Sequence, residues 1–226
     1  MANTQLTGPS IQQIRPAATR GLLWMGGDHI ARRALDLLFT VALARLLFPR
    51  DFGLLAMAAI VTTLVRVFAN VGLGSAVIQR RDVDEEYVAT AFWANLAAGV
   101  VLGAITAALG KVAGTFLKEP MVGPVVLVLS IRFVISPWAN VQMAILSRRM
   151  NFRAQAIVSV QAMALAGLLA VGMAYAGMGV WSLVGQTIGE YVATTILLYR
   201  VTGWVPRALF SWQKFLDAWS FGAPLL

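Results

Sequence analysis

Charged and polar side chains recur at helical spacing within strongly apolar parts of this sequence. In the first of them, Asp28, Arg32 and Asp36 follow one another at four-residue steps, so one helix face carries all three. Three later stretches repeat the spacing, with Thr62, Arg66 and Asn70, with Arg132, Ser136 and Asn140, and with Gln186, Glu190 and Thr194. A charge at the centre of a bilayer costs about 2.5–3.5 kcal/mol. Each charged stripe therefore needs a partner, either another side chain or a ligand.

Two interpretations of the stripes stay open. If acids and bases pair between helices, the stripes only hold a bundle together, and the near balance of charge in the first stretch favours this. If the cations line a hydrated cavity, they bind an anionic ligand; Arg66 and Arg132 favour this, because neither has an acid within a turn of its own helix. A guanidinium keeps its charge and suits bidentate phosphate binding. The residues predicted to bind such a ligand are Arg32, Arg33, Arg66, Arg132 and Asn70.

The residue sets of common enzymes are missing from the sequence. His29 is the single histidine and there is no cysteine, so a His-based or Cys-based metal site cannot be built. Asp82 and Asp84 match a weak metal–sugar-nucleotide pattern, but Asp82 with Glu85 is better interpreted as the acidic start of a helix. The loops between apolar stretches are too short for a nucleotide-sugar domain. We therefore predict neither an enzyme nor a cofactor.

The composition is that of an integral membrane protein. Of the 226 residues, 59% are hydrophobic and 12% are charged, and the mean hydropathy is +0.75. A soluble domain has about 25% charged residues. The net charge of +8 is spread along the chain rather than gathered on one face, which argues against binding of nucleic acid. We therefore predict an all-α membrane fold.

Six apolar stretches are long enough to cross a bilayer as helices, and they define a transmembrane lobe over 20–205. Their approximate ranges are 22–44, 53–78, 87–109, 121–146, 154–176 and 178–200. Before them, residues 1–19 predict a flexible cytoplasmic tail. After them, residues 206–219 predict an interfacial amphipathic helix, with a plain linker as the alternative. Residues 217–226 predict the start of a seventh span.

Orientation and packing follow from simpler signals. Of the 18 Lys and Arg residues, ten fall on the side of the N-terminus, four on the opposite side and four within the stretches, which predicts a cytoplasmic N-terminus. Glycines four residues apart allow two helix backbones to approach closely. Such pairs are Gly99 with Gly103, Gly110 with Gly114, and Gly185 with Gly189.

Several segments resemble a known family of exporters. The stretch LLFPRDFGLLAM at 46–57 looks like the first loop and second helix of the polysaccharide-export flippases, and FANVGLGSAVIQR at 68–80 is similar. Shorter matches are FWANL at 92–96 and GVWSLV at 179–184. These flippases are the Wzx-like lipid-linked oligosaccharide translocases of the MOP exporter superfamily, near the WzxC-type branch. The resemblance covers about residues 20–226.

The resemblance implies a fold and an activity. The fold is two lobes of six or seven helices that face each other across a cationic cavity. The activity is movement of an undecaprenyl-diphosphate-linked oligosaccharide across the bacterial inner membrane by alternating access, often coupled to an ion gradient. Arg32, Arg33 and Arg66 lie on the helices that match the cavity wall. The acids that become candidates for ion coupling are Asp28, Asp36 and Glu190.

Length separates this chain from that family, whose members have about twice as many residues. The resemblance therefore implies an N-terminal lobe, with a C-terminal lobe, other polysaccharide assembly proteins and membrane lipids as partners. Alternatives are a multidrug-type exporter of the same superfamily, a membrane glycosyltransferase or polymerase, and a non-transporting membrane subunit of a polysaccharide assembly complex. Arginine-rich stripes argue against cationic drugs as the substrate.

Overall fold

The computed structural model describes residues 11–69, 85–207 and 209–213, with side chains from residue 27 onward except 66–69. These residues form six helices and no strand, which confirms the all-α prediction. In chain order the helices are α1 (Ile11–Leu46), α2 (Pro49–Ala69), α3 (Glu85–Phe116), α4 (Val122–Arg148), α5 (Phe152–Tyr175) and α6 (Val180–Thr202).

The first helix begins earlier than the sequence predicts. It starts at Ile11, so the flexible tail predicted over 1–19 is wrong for 11–19, while 1–10 lie outside the described residues. The prediction relied on the polar composition of 1–19 and on Gly8, Pro9 and Pro16 within it. Pro16 lies in the second turn, where its missing amide removes one hydrogen bond, to the carbonyl of Gln12, and the surrounding Gln and Ala residues form helices readily.

Local sequence signals start and stop the other helices. Pro49 occupies the first position of α2, and the Asp51 carboxylate accepts a hydrogen bond from the Phe48 amide at 3.1 Å, which caps that helix. Asn151 caps α5 in the reverse direction, because the side chain of this N-cap residue accepts a hydrogen bond from the Ala154 amide in the first turn. Short loops connect α1 to α2, α3 to α4 and α5 to α6 at one end of the bundle, where the Arg50 guanidinium meets the Glu119 carboxylate at 3.0 Å.

Glycine allows α3 and α4 to approach closely. A Cβ added at Gly99 would come within 2.2 Å of the Phe133 carbonyl oxygen, and one at Gly110 within 3.1 Å of the Gly123 carbonyl oxygen. At Gly185, on α6, an added Cβ would lie 2.4 Å from the Met173 sulfur of α5. The predicted packing role is confirmed at Gly99 and Gly110, where an added Cβ would meet the backbone of α4, whereas the flexible end of the Met173 side chain could shift to make room at Gly185.

Each of the six helices packs against one or more of the others. Helix α1 packs on α5, α5 on α6, and α6 on α4, while α2 contacts α3, α4 and α6. The α2–α4–α6 junction buries Leu54, Ala58, Val125 and Val184 with their apolar neighbours. At the other end, Phe92 of α3 is fully buried among side chains of α4. The polar stripes predicted from the sequence thus lie on helices that pack on one another.

Three of the described helices, α3, α4 and α5, are both long and apolar enough to cross a membrane. Large apolar side chains cover their outer surfaces, for example Val101 and Phe116 of α3 and Leu168 of α5. Helices α1, α2 and α6 carry charged or polar stripes, and crossing of the bilayer by these three stays a prediction. Residues 70–78 of the predicted second span lie outside the described part of the chain.

Directly beyond α6 the described residues are not helical, until helix resumes at residues 212–213. The helix ends at Thr202, and Gly203 follows with φ of 62°, a left-handed conformation that glycine adopts without strain. Residues 203–207 and 209–211 are not helical, so the amphipathic helix predicted over 206–219 is wrong for 206, 207 and 209–211. Pro206 disfavours helix for the residue before it and donates no hydrogen bond. Residues 208 and 214–226, including the predicted seventh span, lie outside the described residues.

Candidate functional site

The first polar stripe is paired across helices rather than along one helix. The Arg32 guanidinium of α1 donates to the Glu190 carboxylate of α6 at 2.7 Å. About a third of each side chain remains exposed, 36% for Arg32 and 32% for Glu190. The sequence suggested that Arg32 lies between Asp28 and Asp36, and the structure places its contact elsewhere. A carboxylate from a facing helix can meet a guanidinium head-on, which is the favourable geometry for a charge-assisted hydrogen bond.

The two acids of α1 have separate environments. The Asp28 carboxylate accepts a hydrogen bond from the Ser159 hydroxyl of α5, a half-buried contact between helices. Asp36 lies 3.7 Å from the Arg33 guanidinium, a long contact within α1. Asp28 thus joins Arg32 on the face that packs into the bundle, whereas Asp36 does not.

Arg33 and Asp36 belong to an exposed polar face of α1. His29, Arg33, Asp36 and Thr40 are all exposed, and the Arg33 side chain is 88% accessible. They follow one another at steps of four, three and four residues, which places them within about 60° of one another around the helix. We call these four residues the α1 polar face. It carries a cation and an anion whose only contact among the described residues is the one between them, at 3.7 Å.

Arg132 connects α4 to α2. Its guanidinium donates to the Thr62 carbonyl oxygen at 3.1 Å and lies 5.0 Å from the centre of the Phe133 ring. A guanidinium over an aromatic face is attracted by the negative ring surface. The bond to Thr62 is an interhelical contact that sequence spacing along α4 could not show.

The last two predicted ligand-binding residues cannot be placed at the level of side chains. Arg66 lies in α2, one turn after Thr62, and its side chain is outside the described part of the structure. Asn70 lies outside the described residues altogether. Among the described residues, no three His, Asp or Glu side chains come together as metal ligands would.

The structure contains one polar assembly that sequence reasoning missed. The extended residues after α6 lie against the start of α3, where the Trp93 indole donates to the Arg207 carbonyl oxygen at 2.9 Å. The Ser211 amide donates to the Thr90 hydroxyl at 3.1 Å, and Arg207 pairs with Glu85 at 2.9 Å. The sequence held one signal for this arrangement: Pro206 disfavours the helix that was predicted over 206–219 from the helical spacing of Trp212 and its apolar neighbours.

Comparison with known proteins assigns a family to this arrangement. Residues 42–226 match the family described as polysaccharide biosynthesis protein. The chain belongs to that family. The resemblance to Wzx-like flippases is confirmed by this match and by the curated relatives. No solved structure matches this chain significantly.

The curated relatives are considerably longer than this chain. It is 30% identical over 206 residues to the succinoglycan biosynthesis transport protein ExoT of Rhizobium meliloti (strain 1021), which covers 90% of this chain and 42% of that protein. It is 23% identical to the lipopolysaccharide biosynthesis protein WzxC of Escherichia coli (strain K12), over 82% of this chain and 38% of WzxC. The teichuronic acid biosynthesis protein TuaB of Bacillus subtilis (strain 168) is 27% identical, over 72% and 34%. The chain thus spans less than half the length of these relatives.

Proposed function

We propose that this chain is the N-terminal lobe of a transporter that moves a lipid-linked oligosaccharide across the inner membrane during polysaccharide biosynthesis. The substrate class is an undecaprenyl-diphosphate-linked glycan, and the mechanism is alternating access against a C-terminal lobe. The names of the relatives, among them a succinoglycan transport protein, support a role in export rather than in enzymatic synthesis. The N-terminus lies in the cytoplasm, as the distribution of Lys and Arg favours.

The observation that carries the proposal is the exposed cation of the α1 polar face. An arginine that is 88% accessible in the middle of a predicted span cannot face hydrocarbon without a cost of about 2.5–3.5 kcal/mol. It therefore faces water, a second lobe or an anionic ligand. A cavity between two lobes provides all three during a transport cycle.

The contact between Arg33 and Asp36 fits a site that exchanges partners. Exposed ion pairs contribute about 0.2–1 kcal/mol, and this one is long at 3.7 Å. A diphosphate offers bidentate acceptance and a larger charge, and hydrogen bonds to charged groups contribute about 1.5–3 kcal/mol each. Arg33 can therefore leave Asp36 for a phosphate at little cost. Asp36 then becomes free to bind a proton or a cation, which is the role we propose for it in ion coupling.

The other candidate residues take different roles in this proposal. We assign Arg66 and Asn70, which are four residues apart in the sequence, to the same anion site as Arg33. Arg32 and Glu190 compensate each other, so we assign them to holding α1 against α6.

Substitution of Arg33 tests the proposal, with Arg45 as the matched control. Both arginines are exposed on α1, but Arg45 lies in its last turn, near the end of the helix. Arg33→Ala in the full-length protein should abolish glycan export in a complementation assay and leave membrane abundance at the wild-type level. Arg33→Lys should restore export only in part, because a point charge replaces a planar fork. Arg45→Ala should export normally.

Two outcomes would contradict the proposal. Normal export by Arg33→Ala would remove this residue from the substrate path. Loss of export in proportion to loss of protein would make Arg33 a structural residue instead. Abundance and export are therefore measured in the same cells.

A further inference from the structure

The segment that follows α6, which is not helical before residue 212, is held on α3 by contacts to its backbone. We call residues 203–207 and 209–213 the strap. Two α3 side chains bind main-chain groups of the strap, Trp93 at the Arg207 carbonyl and Thr90 at the Ser211 amide. The Trp204 ring packs on the edge of Phe92, with centroids 5.8 Å apart. Because main-chain groups are recognised, α3 presents a binding surface for an extended chain.

The surface on α3 is rigid, whereas the strap is loosely held. Thr90 is 1% exposed and its hydroxyl also donates to the Glu86 carbonyl at 2.7 Å, so it is fixed in the orientation that accepts from Ser211. By contrast, no described residue of the strap is buried, and Phe210 and Trp212 are largely exposed. The ion pair between Arg207 and Glu85 is exposed on both sides and contributes little. The strap is therefore attached by hydrogen bonds, an exposed ion pair and the packing of Trp204 on the buried cluster around Phe92. None of its described residues is itself buried, so the strap can leave α3 without unfolding the bundle.

The strap also has a hinge. Gly203 has a φ of 62°, and glycine changes backbone conformation more readily than any other residue, so this position is the natural pivot between α6 and the strap. On the helix side of the hinge, the Thr202 hydroxyl is anchored to Gln142 of α4 at 3.1 Å. The chain is thus fixed before Gly203 and weakly fixed after it. Any pull on the residues that follow 213 reaches the strap contacts before it reaches α6.

We propose that the strap is a releasable clasp, which is docked on α3 in one state of the transporter and leaves α3 when the lobe moves against the rest of the protein. This inference rests on the proposed transport function. When the strap is docked, the chain after residue 213 continues from a point fixed at the start of α3. When it is not, the chain is fixed only at the end of α6. Released, the strap lengthens the connection and permits a larger displacement.

Chemical locking of the clasp tests this. Residues 1–226 contain no cysteine, so an introduced pair provides the only two thiols within this part of the protein. Thr90→Cys with Ser211→Cys in the full-length protein places two small thiols where the docked strap has its amide–hydroxyl contact. A short bifunctional methanethiosulfonate should cross-link the pair and stop glycan export, and reduction should restore it. A second pair, Glu85→Cys with Arg207→Cys, repeats the test at the ion pair if the first lowers abundance.

A matched control pair lies within the lobe. The Gln155 amide of α5 donates to the Ser147 hydroxyl of α4 at 2.8 Å, and neither residue belongs to the strap. Cross-linking of Ser147→Cys with Gln155→Cys should leave export unchanged. Export that continues with the strap fully cross-linked, failure of both strap pairs to cross-link, or equal loss of export in the control pair would each overturn the clasp. If the unsubstituted protein itself exports no lipid-linked glycan, the proposed function fails and the clasp fails with it.

Discussion

The ion pair between Arg32 and Glu190 yields a sharp test of how the first helix is held. If the pair fastens α1 to α6, replacing either partner leaves the other charge half-buried and uncompensated. Exchanging the two residues keeps the pair with reversed polarity. Stability should therefore fall in Arg32→Gln and in Glu190→Gln, and should recover in the double variant Arg32→Glu with Glu190→Arg.

The expected size follows from the exposure of the two side chains. Breaking a fully buried pair costs about 3–5 kcal/mol, and breaking an exposed one about 0.2–1 kcal/mol. Exposures of 36% and 32% place this pair between the two limits, at about 2 kcal/mol. If the 226 residues unfold as a unit, that corresponds to a decrease in Tm of about 4–8 °C, and the decrease is smaller if a longer full-length protein unfolds as one unit.

The assay is thermal unfolding of the purified full-length protein in detergent, read with membrane abundance. Arg33→Gln is the control, because it removes the same charge from the neighbouring position, where the side chain is 88% exposed. We expect its Tm to stay near that of the wild type. A cycle over Arg32→Gln, Glu190→Gln and the double variant that carries both of these changes isolates the coupling between the partners. A double variant as unstable as the sum of the two single variants would refute the reasoning, because it would show no interaction between them.

Two further predictions address packing and orientation. Gly167→Ala should lower Tm and abundance, because a Cβ there would come within 2.3 Å of the Phe39 ring. Gly172→Ala is the control: its added Cβ would have no atom within 4 Å, so this change should be neutral or slightly stabilising. Equal effects of the two substitutions would contradict the packing of α1 on α5. Reporter fusions after Arg81 and Arg149 should read cytoplasmic and one after Gly177 external, and an external readout at Arg149 would overturn the proposed orientation.

The helices and their close contacts were accessible from the sequence because they depend on local signals. The fourth apolar stretch, predicted over 121–146, corresponds to α4 at Val122–Arg148, since a bilayer-length run of apolar residues has few alternatives to a helix. Gly99 and Gly103 predicted their packing role because only glycine permits so close an approach. The start of α1 was missed, because one proline early in a helix costs less than the flanking residues contribute.

Interhelical pairing was not accessible in the same way. Glu190 follows Arg32 by 158 residues, and the spacing along α1 offered two nearer acids. Asp28 and Asp36 share a face with Arg32 on the helical wheel, yet a side chain of a neighbouring helix offered the better geometry. The strap was missed for a related reason. Its contacts use main-chain groups of residues 207 and 211, and every residue type has the same main-chain carbonyl, so the sequence does not indicate which of them are bound.

The structure describes the side chains of three arginines of the predicted site, and their surroundings differ in ways that the sequence did not indicate. Arg32 meets a carboxylate at 2.7 Å, and Arg132 contacts the Thr62 carbonyl and the Phe133 ring, so a ligand would have to displace established interhelical interactions at both. Arg33 would give up only its long ion pair with Asp36. The free energy of binding a diphosphate depends on the hydrogen bonds that an arginine must break as well as on those that it forms with the phosphates. For that reason the anion should bind Arg33 in preference to Arg32 and Arg132. Substitutions in the α1 polar face should therefore reduce glycan export the most and lower the thermal stability of the protein the least.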